Sequence, residues 1–110
     1  MLGIPGDFTP PSRFIRASYF VSETKDNYTR EIALLQGFRI LSQFDIPKGS
    51  VVDNQLGHQD ETIYTSMMDT KEKTYSIKCQ TNINVQTFRM NDFKDARVIK
   101  RVQLEKEMKF

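Results

Sequence analysis

The hydrophobic positions near the start of the chain follow the periodicity of an amphipathic helix. That periodicity predicts a helix with one apolar face, and Arg13 and Arg16 are offset from this face. Thr9 and Ser12 are candidate N-caps, because a hydroxyl oxygen can accept a hydrogen bond from an unpaired amide of the first turn. The apolar positions are Phe14, Ile15, Ala17, Tyr19, Phe20 and Val21.

The segment before this helix, residues 3–11, is rich in glycine and proline. Proline fixes φ, and glycine permits a positive φ, so the segment is predicted to be a rigid loop with little conformational freedom to lose. A proline in the first turn also suits a helix start. The glycines and prolines are Gly3, Pro5, Gly6, Pro10 and Pro11.

A second apolar stripe predicts a second helix after the polar residues 22–27. Asp26 or Asn27 is the expected N-cap. Gly37 lies inside this helix and costs about 1 kcal/mol relative to alanine, which a close approach to another element would explain. The helix is expected to end before the Ile-Pro-Lys-Gly sequence at 46–49. The stripe consists of Tyr28, Ile32, Leu35, Phe38 and Leu41, widened by Leu34 and Phe44.

From Glu61 onward the pattern favours β-structure. Residues 50–60 are expected to form a loop, and strands are predicted at 62–68, 74–79 and 83–90, where β-branched and aromatic residues are frequent. Short polar turns join these strands, which is typical of an antiparallel meander. A further short strand is expected at 98–104, followed by a frayed terminus. The predicted fold class is α+β, with two helices packed on the antiparallel sheet.

The middle strand carries the chain's one cysteine, Cys79. Tyr75, Ile77 and Cys79 are expected on one face of the strand, so Cys79 is interpreted as a core-facing residue rather than a reactive thiol. His58 beside Asp60 could suggest acid–base chemistry, but an exposed loop histidine is the simpler interpretation. One cysteine and one histidine exclude an internal disulfide and a cysteine-based or multi-histidine metal site. No cofactor and no metal are therefore expected.

Composition limits the size of the core and the kind of partner. The 110 residues fit one domain, which buries only about two thirds of its unfolded surface. Some apolar faces are therefore expected to need another copy or a missing part of the same protein. A net charge of +2 argues against nucleic acid and an anionic membrane. Neither a run of about 18 apolar residues nor a signal peptide is visible.

The opening stretch carries the most specific resemblance to a known family. Gly3-Ile-Pro-Gly-Asp-Phe-Thr-Pro-Pro-Ser-Arg-Phe-Ile-Arg-Ala17 resembles the corresponding stretch of the choloylglycine hydrolase family, which contains bile salt hydrolases and penicillin V acylases. Ile4 replaces the usual leucine, and Ile15 the usual valine. Weaker similarity follows at residues 38–42, 46–49 and 62–69, and it continues to about Met90.

The resemblance implies a fold and a chemistry that the residue pattern alone does not. The family consists of N-terminal-nucleophile (Ntn) hydrolases acting on carbon–nitrogen bonds in linear amides, with an αββα sandwich. Members are roughly three times as long, so residues 1–110 would form a single partial domain, the C-terminal portion. The family nucleophile is a cysteine at the mature N-terminus, whereas Met1 stands here and Cys79 is unrelated to that role. The chain alone is therefore expected to be inactive.

One active-site residue carries over through the resemblance. Arg13 matches the first arginine of the family's Ser-Arg-Phe, which lies close to the nucleophile; without the resemblance it reads as a surface or loop-bracing residue. A fixed positive charge would favour a thiolate and steady the charge of a tetrahedral intermediate. Arg16, one turn further along, is interpreted as structural. No substrate-binding residue is assigned.

The expected parent enzyme releases glycine or taurine from bile acid conjugates. Penicillin V acylase or acyl-homoserine lactone acylase activity, or a non-catalytic interaction module, are the alternatives. The expected partners are a small-molecule amide in the complete protein, and a second copy or the missing N-terminal portion. Nucleic acid and membranes are not expected as partners. The compartment, cytoplasmic or periplasmic or secreted, depends on upstream sequence.

Overall fold

The computed structural model describes residues 2–95 and 97–109. These residues form two compact units, one ending at Glu61 and the other beginning at Thr62. The prediction of one partial domain over residues 1–110 stays a prediction. Within the described ranges, neither helix has the length and apolar content needed to cross a bilayer.

The first unit contains the two predicted helices. Helix α1 spans Pro10–Ser22, with a proline in its first turn, as predicted. Thr9 occupies the N-cap position, but its side chain accepts no capping hydrogen bond, and Ser12, the other candidate, lies inside the helix. Helix α2 spans Arg30–Ser42 and ends before residue 46, also as predicted. The predicted cap of α2 is wrong, because Thr29 caps this helix and accepts a 3.4 Å hydrogen bond from the Ile32 amide. Helix α2 therefore begins later than expected, and it excludes Tyr28.

The region predicted as a loop, residues 50–60, contains a short antiparallel ladder. Strand β1, Val51–Val52, pairs with β2, Gln59–Asp60. The Asp53 amide donates to the His58 carbonyl at 2.8 Å, and the Gly57 amide donates to the Asp53 carbonyl at 2.8 Å. Gly57 has a φ of +67°, which glycine adopts without the steric cost of a Cβ.

The second unit contains the predicted meander. Strands β3, Tyr64–Asp69, β4, Thr74–Cys79, and β5, Asn82–Arg89, pair antiparallel in the order β3-β4-β5. The ends of β4 are as predicted, and those of β3 and β5 differ from the predicted ones by one or two residues. A short 3₁₀ helix, Met90–Phe93, follows β5.

Burial in the central strand β4 is not confined to the predicted face. Ile77 is buried, but Tyr75 is 36% exposed and Cys79 is only half-buried. Ser76, on the opposite face, is the most buried residue of this strand at 4%, and its hydroxyl lies 2.8 Å from that of Thr87. Since residues on both faces of β4 are buried, the expectation of a single core face is wrong.

The predicted strand at 98–104 is wrong, since no part of this segment joins a ladder among the described residues. The predicted frayed terminus is also wrong within residues 105–109, and Phe110 lies outside the described residues. The Gln86 side-chain amide donates to the Glu105 carbonyl at 3.1 Å and accepts from the Glu105 amide at 2.8 Å. An amide side chain carries one acceptor and two donors, so it can pair with a backbone as another strand would.

Asn82 completes this attachment of the C-terminal segment to β5. Its Nδ2 donates to the carbonyls of Glu105 and Glu107, both at 3.0 Å, and its Oδ1 accepts from the Asn84 amide at 2.9 Å. The Asn84 side chain in turn accepts from the Lys109 amide at 3.0 Å. Asn82 is buried, with 2% of its surface exposed. The side-chain amides of Asn82, Asn84 and Gln86, which are alternate residues of β5, thus hold the C-terminal segment.

Replacement of Asn82 by alanine should lower the free energy of unfolding by about 2–3 kcal/mol, because it removes three hydrogen bonds and leaves the carbonyl of Glu107 without its donor. Urea unfolding measures this loss, and hydrogen exchange should accelerate at the amides of Glu105 and Lys109. The exposed Asn91→Ala variant is the control and should change stability by less than about 0.5 kcal/mol. Unchanged exchange at these amides in Asn82→Ala would contradict the attachment.

Candidate functional site

The candidate site lies at the start of α1, where a structured loop feeds the helix. Gly3 has a φ of +85°, which agrees with the predicted need for glycine in this loop. The Asp7 carboxylate accepts hydrogen bonds from the Thr9 hydroxyl and from the Thr9 amide, the latter at 2.8 Å. The Thr9 hydroxyl also lies 3.1 Å from that of Ser12. Asp7 therefore organises the turn that sets the first residue of α1.

These hydrogen bonds favour the ionised form of Asp7. The hydrogen bond from the Thr9 hydroxyl is the largest cause that lowers the pKa of Asp7, followed by the one from the Thr9 amide. The Arg16 charge adds a smaller effect in the same direction. The carboxylate lies just before the positive end of α1, where a negative charge is favourable.

Arg16, in α1, contacts both the opening loop and the segment that follows α2. Its side chain is buried, and Nη1 donates to the carbonyls of Pro5 at 2.9 Å and Asp7 at 2.7 Å. The guanidinium carbon lies 5.3 Å from the ring centroid of Phe44, which follows α2, and this distance is typical of a cation–π contact. The structural role interpreted for Arg16 agrees with these contacts.

Arg13, the sequence-predicted active-site residue, has a different environment one turn away. Its side chain is exposed, and within residues 2–95 and 97–109 its guanidinium has no hydrogen-bond or ion-pair partner. It lines an open pocket of about 380 Å³ whose walls are otherwise apolar. The other lining residues are Pro10, Phe14, Ala17, Leu41 and Phe44.

The pocket places an unpaired cation beside apolar surface. A guanidinium offers five N–H donors in a planar fork, which suits an oxyanion or a carboxylate. Phe44 belongs to both environments, because its ring contacts Arg16 and also lines the pocket at Arg13. The buried arginine and its aromatic partner thus support the wall on which the exposed arginine lies.

Sequence reasoning missed the parts played by Asp7 and Phe44. Phe44 lies outside α2, so its assignment to the helical stripe hid its contact with Arg16. Asp7, two residues before Thr9, stands at the spacing of an Asx turn, and that spacing could have indicated its role.

The other sequence candidates lie elsewhere. His58 is exposed in the loop between β1 and β2. Cys79 belongs to the second unit, where its thiol lies 3.4 Å from the Thr81 hydroxyl, and this hydrogen bond is the main cause of its lowered pKa. Among the residues that the structure describes, no group of three or more acidic, histidine or cysteine side chains could hold a metal ion.

The two arginines should respond differently to the same substitution. Arg16→Met should lower the free energy of unfolding by about 2–4 kcal/mol, because the carbonyls of Pro5 and Asp7 lose a charged donor and Phe44 loses its cation. Arg13→Met, the matched control, should change it by less than about 0.5 kcal/mol. Thermal or urea unfolding measures both. Equal losses for the two variants would contradict the distinction.

The lowered pKa of Asp7 predicts a pH dependence of stability. A carboxyl whose pKa is depressed in the folded state stabilises the fold above its ordinary value, 3.8, and this contribution is lost as the pH falls through the folded-state pKa. Asp7→Asn should therefore flatten the fall in unfolding free energy between neutral and strongly acidic pH. Asp26→Asn, at an exposed position between the two helices, is the control. If the free energy of unfolding falls equally at acidic pH in Asp7→Asn and in the unsubstituted chain, the role of Asp7 is contradicted.

The sequence is similar to those of known proteins. The model of the linear amide C–N hydrolases, choloylglycine hydrolase family, matches residues 1–95. The conjugated bile acid hydrolase of Lactobacillus gasseri is 32% identical over 91 residues, which are 83% of this chain and 28% of that protein. The chain therefore spans less than a third of the length of this relative.

Solved structures agree as well. A mutant conjugated bile acid hydrolase from Clostridium perfringens matches with a TM-score of 0.82 and 30% identity, over 99% of this chain and 33% of that one. Penicillin V acylase from Agrobacterium tumefaciens matches with a TM-score of 0.70 and 22% identity, over 80% of this chain and 27% of that one, which shows the fold alone. Two helices followed by antiparallel strands are thus part of the Ntn-hydrolase fold, as predicted. The chain belongs to the choloylglycine hydrolase family of linear amide C–N hydrolases.

Proposed function

We propose that this chain supplies the arginine-bearing part of a hydrolase that cleaves conjugated bile acids into the free acid and glycine or taurine. The observation that carries the proposal is the environment of Arg13. This guanidinium is exposed and has no partner within the described ranges, and it lines an apolar pocket in a family of amide hydrolases.

The contrast with Arg16 supports a functional role for Arg13. Two identical side chains leave the same helix one turn apart, and Arg16 makes the contacts that join the loop to Phe44. Arg13 contributes nothing comparable to the described fold, so its charge is available to a reacting group. An unpaired charge costs no rearrangement when negative charge develops beside it.

In the complete enzyme, the proposed nucleophile is an N-terminal cysteine supplied by another part of the protein. Its sulfur forms a bond to the amide carbon while its own amine takes the thiol proton. The C–N bond then breaks, the amine product leaves with that proton, and water hydrolyses the thioester. Arg13 would favour transfer of the thiol proton to the amine, because its charge stabilises negative charge on sulfur, and it would stabilise the oxyanion that forms on attack.

The pocket beside Arg13 supports an apolar acyl group in the substrate. Its walls include Phe14, Ala17, Leu41 and Phe44. The ring of Phe44 also contacts Arg16. Phe14 is 74% exposed, so it can cover apolar surface of a ligand or of another part of the protein. A bile acid amide has an apolar body next to its scissile bond, and this combination fits a cation at the edge of an apolar wall.

The experiment is complementation in one cell. The chain is co-produced with the N-terminal two thirds of the Clostridium perfringens conjugated bile acid hydrolase, and glycine or taurine release from glycocholate and taurocholate is measured. Penicillin V and an acyl-homoserine lactone are assayed in parallel. The purified pair should turn over the bile acid conjugates, and the chain alone should release nothing.

Variants then assign the role of the arginine. Arg13→Leu should lower kcat/KM of the pair by about 10²–10³-fold, the usual cost of losing one oxyanion-stabilising group. Arg13→Lys should recover part of this loss, and the acidic limb of the pH profile should shift to higher pH in Arg13→Leu, because the thiol loses its neighbouring cation. Arg39→Leu, an exposed arginine in α2, is the matched control and should be unchanged.

Three outcomes would overturn the proposal. The first is turnover by the chain alone that Cys79→Ala abolishes, since the nucleophile would then be internal. The second is an active pair in which Arg13→Leu leaves kcat/KM and the pH profile unchanged. The third is a stable, correctly assembled pair without any amide turnover, which favours a non-catalytic interaction module.

A further inference from the structure

The segment at residues 99–104 alternates its side chains as a β-strand does, although it joins no ladder among the described residues. Lys100, Val102 and Leu104 line a cavity that Tyr75 of the sheet also lines, whereas the residues between them do not. Ile99, one of the residues on the other side, is 91% exposed. A period of two is that of extended backbone, so the segment has the conformation that a strand requires.

The backbone of the residues that follow shows the same period of two. The carbonyls of Glu105 and Glu107 accept hydrogen bonds from a side-chain amide of β5, and the Lys109 amide donates to another, each at 3.0 Å. In an extended chain the backbone groups of successive residues point to opposite edges. The odd-numbered residues therefore face the side-chain amides of β5, and the even-numbered residues present their amides and carbonyls at the opposite edge.

This opposite edge has no partner within the part of the chain that the structure describes. The Val98 amide donates to the Asp95 carbonyl at 3.2 Å, and the Glu105 amide donates to the Gln86 side chain at 2.8 Å. Between these two anchors, the backbone of residues 99–104 makes no hydrogen bond to a described residue. An extended segment that is fixed at both ends and unpaired between them is a template for another strand.

We propose that residues 99–104 pair with a strand from the part of the family fold that this chain lacks, through the backbone groups of Lys100, Val102 and Leu104. This inference rests on the proposed function, in which the remainder of the hydrolase joins this chain, and it names the segment at which that partner binds. The bonds are between backbone groups, so the partner is recognised by its extended edge more than by its side chains.

The extent of the structural match favours this partner. The match to the Clostridium perfringens hydrolase covers 99% of this chain, and so includes the segment at 99–104, but it covers only 33% of that longer chain. Two thirds of a similar fold are thus available to complete the open edge. A strand edge that is completed within one protein no longer invites association with unrelated chains.

Charge disfavours a second copy of this chain as the partner. Residues 98–104 contain Lys100 and Arg101 and no acid. Two copies paired antiparallel along this segment would bring four cations onto one short ladder, and like charges across a ladder are destabilising. A strand from another part of the fold can carry acids at the facing positions.

The test compares amide hydrogen exchange, residue by residue, in the complete chain alone and in its pair with the N-terminal two thirds of the Clostridium perfringens hydrolase. The amides of residues 99–104 should be unprotected in the chain alone. In the pair, exchange should slow by at least about 100-fold at Lys100, Val102 and Leu104, and by less than about ten-fold at the residues between them. A surface that merely covers the segment would not produce this alternation.

Variants test the same edge through assembly. Val102→Pro should raise the concentration at which the pair dissociates by at least about ten-fold, because proline removes an amide that the partner strand would bond. Val102→Ala keeps this amide and should have a smaller effect. Gln103→Pro, whose missing amide lies at the other edge, is the matched control and should change the dissociation concentration by less than about three-fold.

Sedimentation velocity on dilution measures the dissociation of each pair. Amide exchange in β4 of each isolated variant shows whether the sheet remains intact, since residues 99–104 make no backbone hydrogen bond to it. Both proline variants should leave the exchange in β4 unchanged. Equal effects of Val102→Pro and Gln103→Pro on dissociation would overturn the assignment of the edge.

The outcomes separate this inference from the proposed function. Alternating protection in a pair that does not turn over amides would support the docking segment and overturn the hydrolysis. Turnover by a pair in which residues 99–104 stay unprotected, or are protected without alternation, would overturn the docking segment alone. Protection in the isolated chain that rises with concentration, together with a dimeric mass, would make a second copy the partner and overturn it as well. Failure of the two polypeptides to associate would overturn both.

Discussion

The buried guanidinium of Arg16 is the interaction on which the first unit depends. It fixes the carbonyls of Pro5 and Asp7, and it packs on the ring of Phe44. These contacts join the opening loop, the first helix and the residue after the second helix through a single side chain. A buried charge is tolerated only when its donors are satisfied, so the loop conformation and the burial of Arg16 stabilise each other.

This arrangement explains why two arginines of one helix can differ in role. The contacts of Arg16 with the loop carbonyls and with Phe44 fix the direction of the start of α1 relative to Phe44. Arg13, on that same turn, then extends into the pocket with its donors free within the described residues. The role proposed for Arg13 would use this turn as a rigid support for an exposed cation.

Much of the fold could be predicted from the sequence, because its signals are local. Helical periodicity gave both helices, and β-branched strands with polar turns gave the meander. The cap of α2 was missed because Asp26, Asn27 and Thr29 are all competent caps, and only the chain direction selects among them. The ladder at Val51–Val52 was missed because two residues show no periodicity.

The remaining features depend on contacts between residues distant in sequence. Periodicity cannot distinguish Arg13 from Arg16, since the decisive partners of Arg16 include Pro5 and Phe44. The family resemblance supplied the hypothesis for Arg13, but not the pocket around it. The attachment of the C-terminal segment was also invisible, because an amide side chain that replaces a strand, such as Gln86, leaves no alternating pattern in the segment it binds.

The attachment at Asn82 affects the order in which parts of the chain fold during synthesis. Asn82 Nδ2 bonds to carbonyls that follow it by 23 and 25 residues, so it stays without these acceptors until Glu105 and Glu107 have been synthesised. The meander can form earlier, because its contacts are closer in sequence. The closing of the C-terminal segment on β5 therefore follows the formation of the meander, and a chain that stops before Glu105 leaves the Asn82 side chain without these two acceptors.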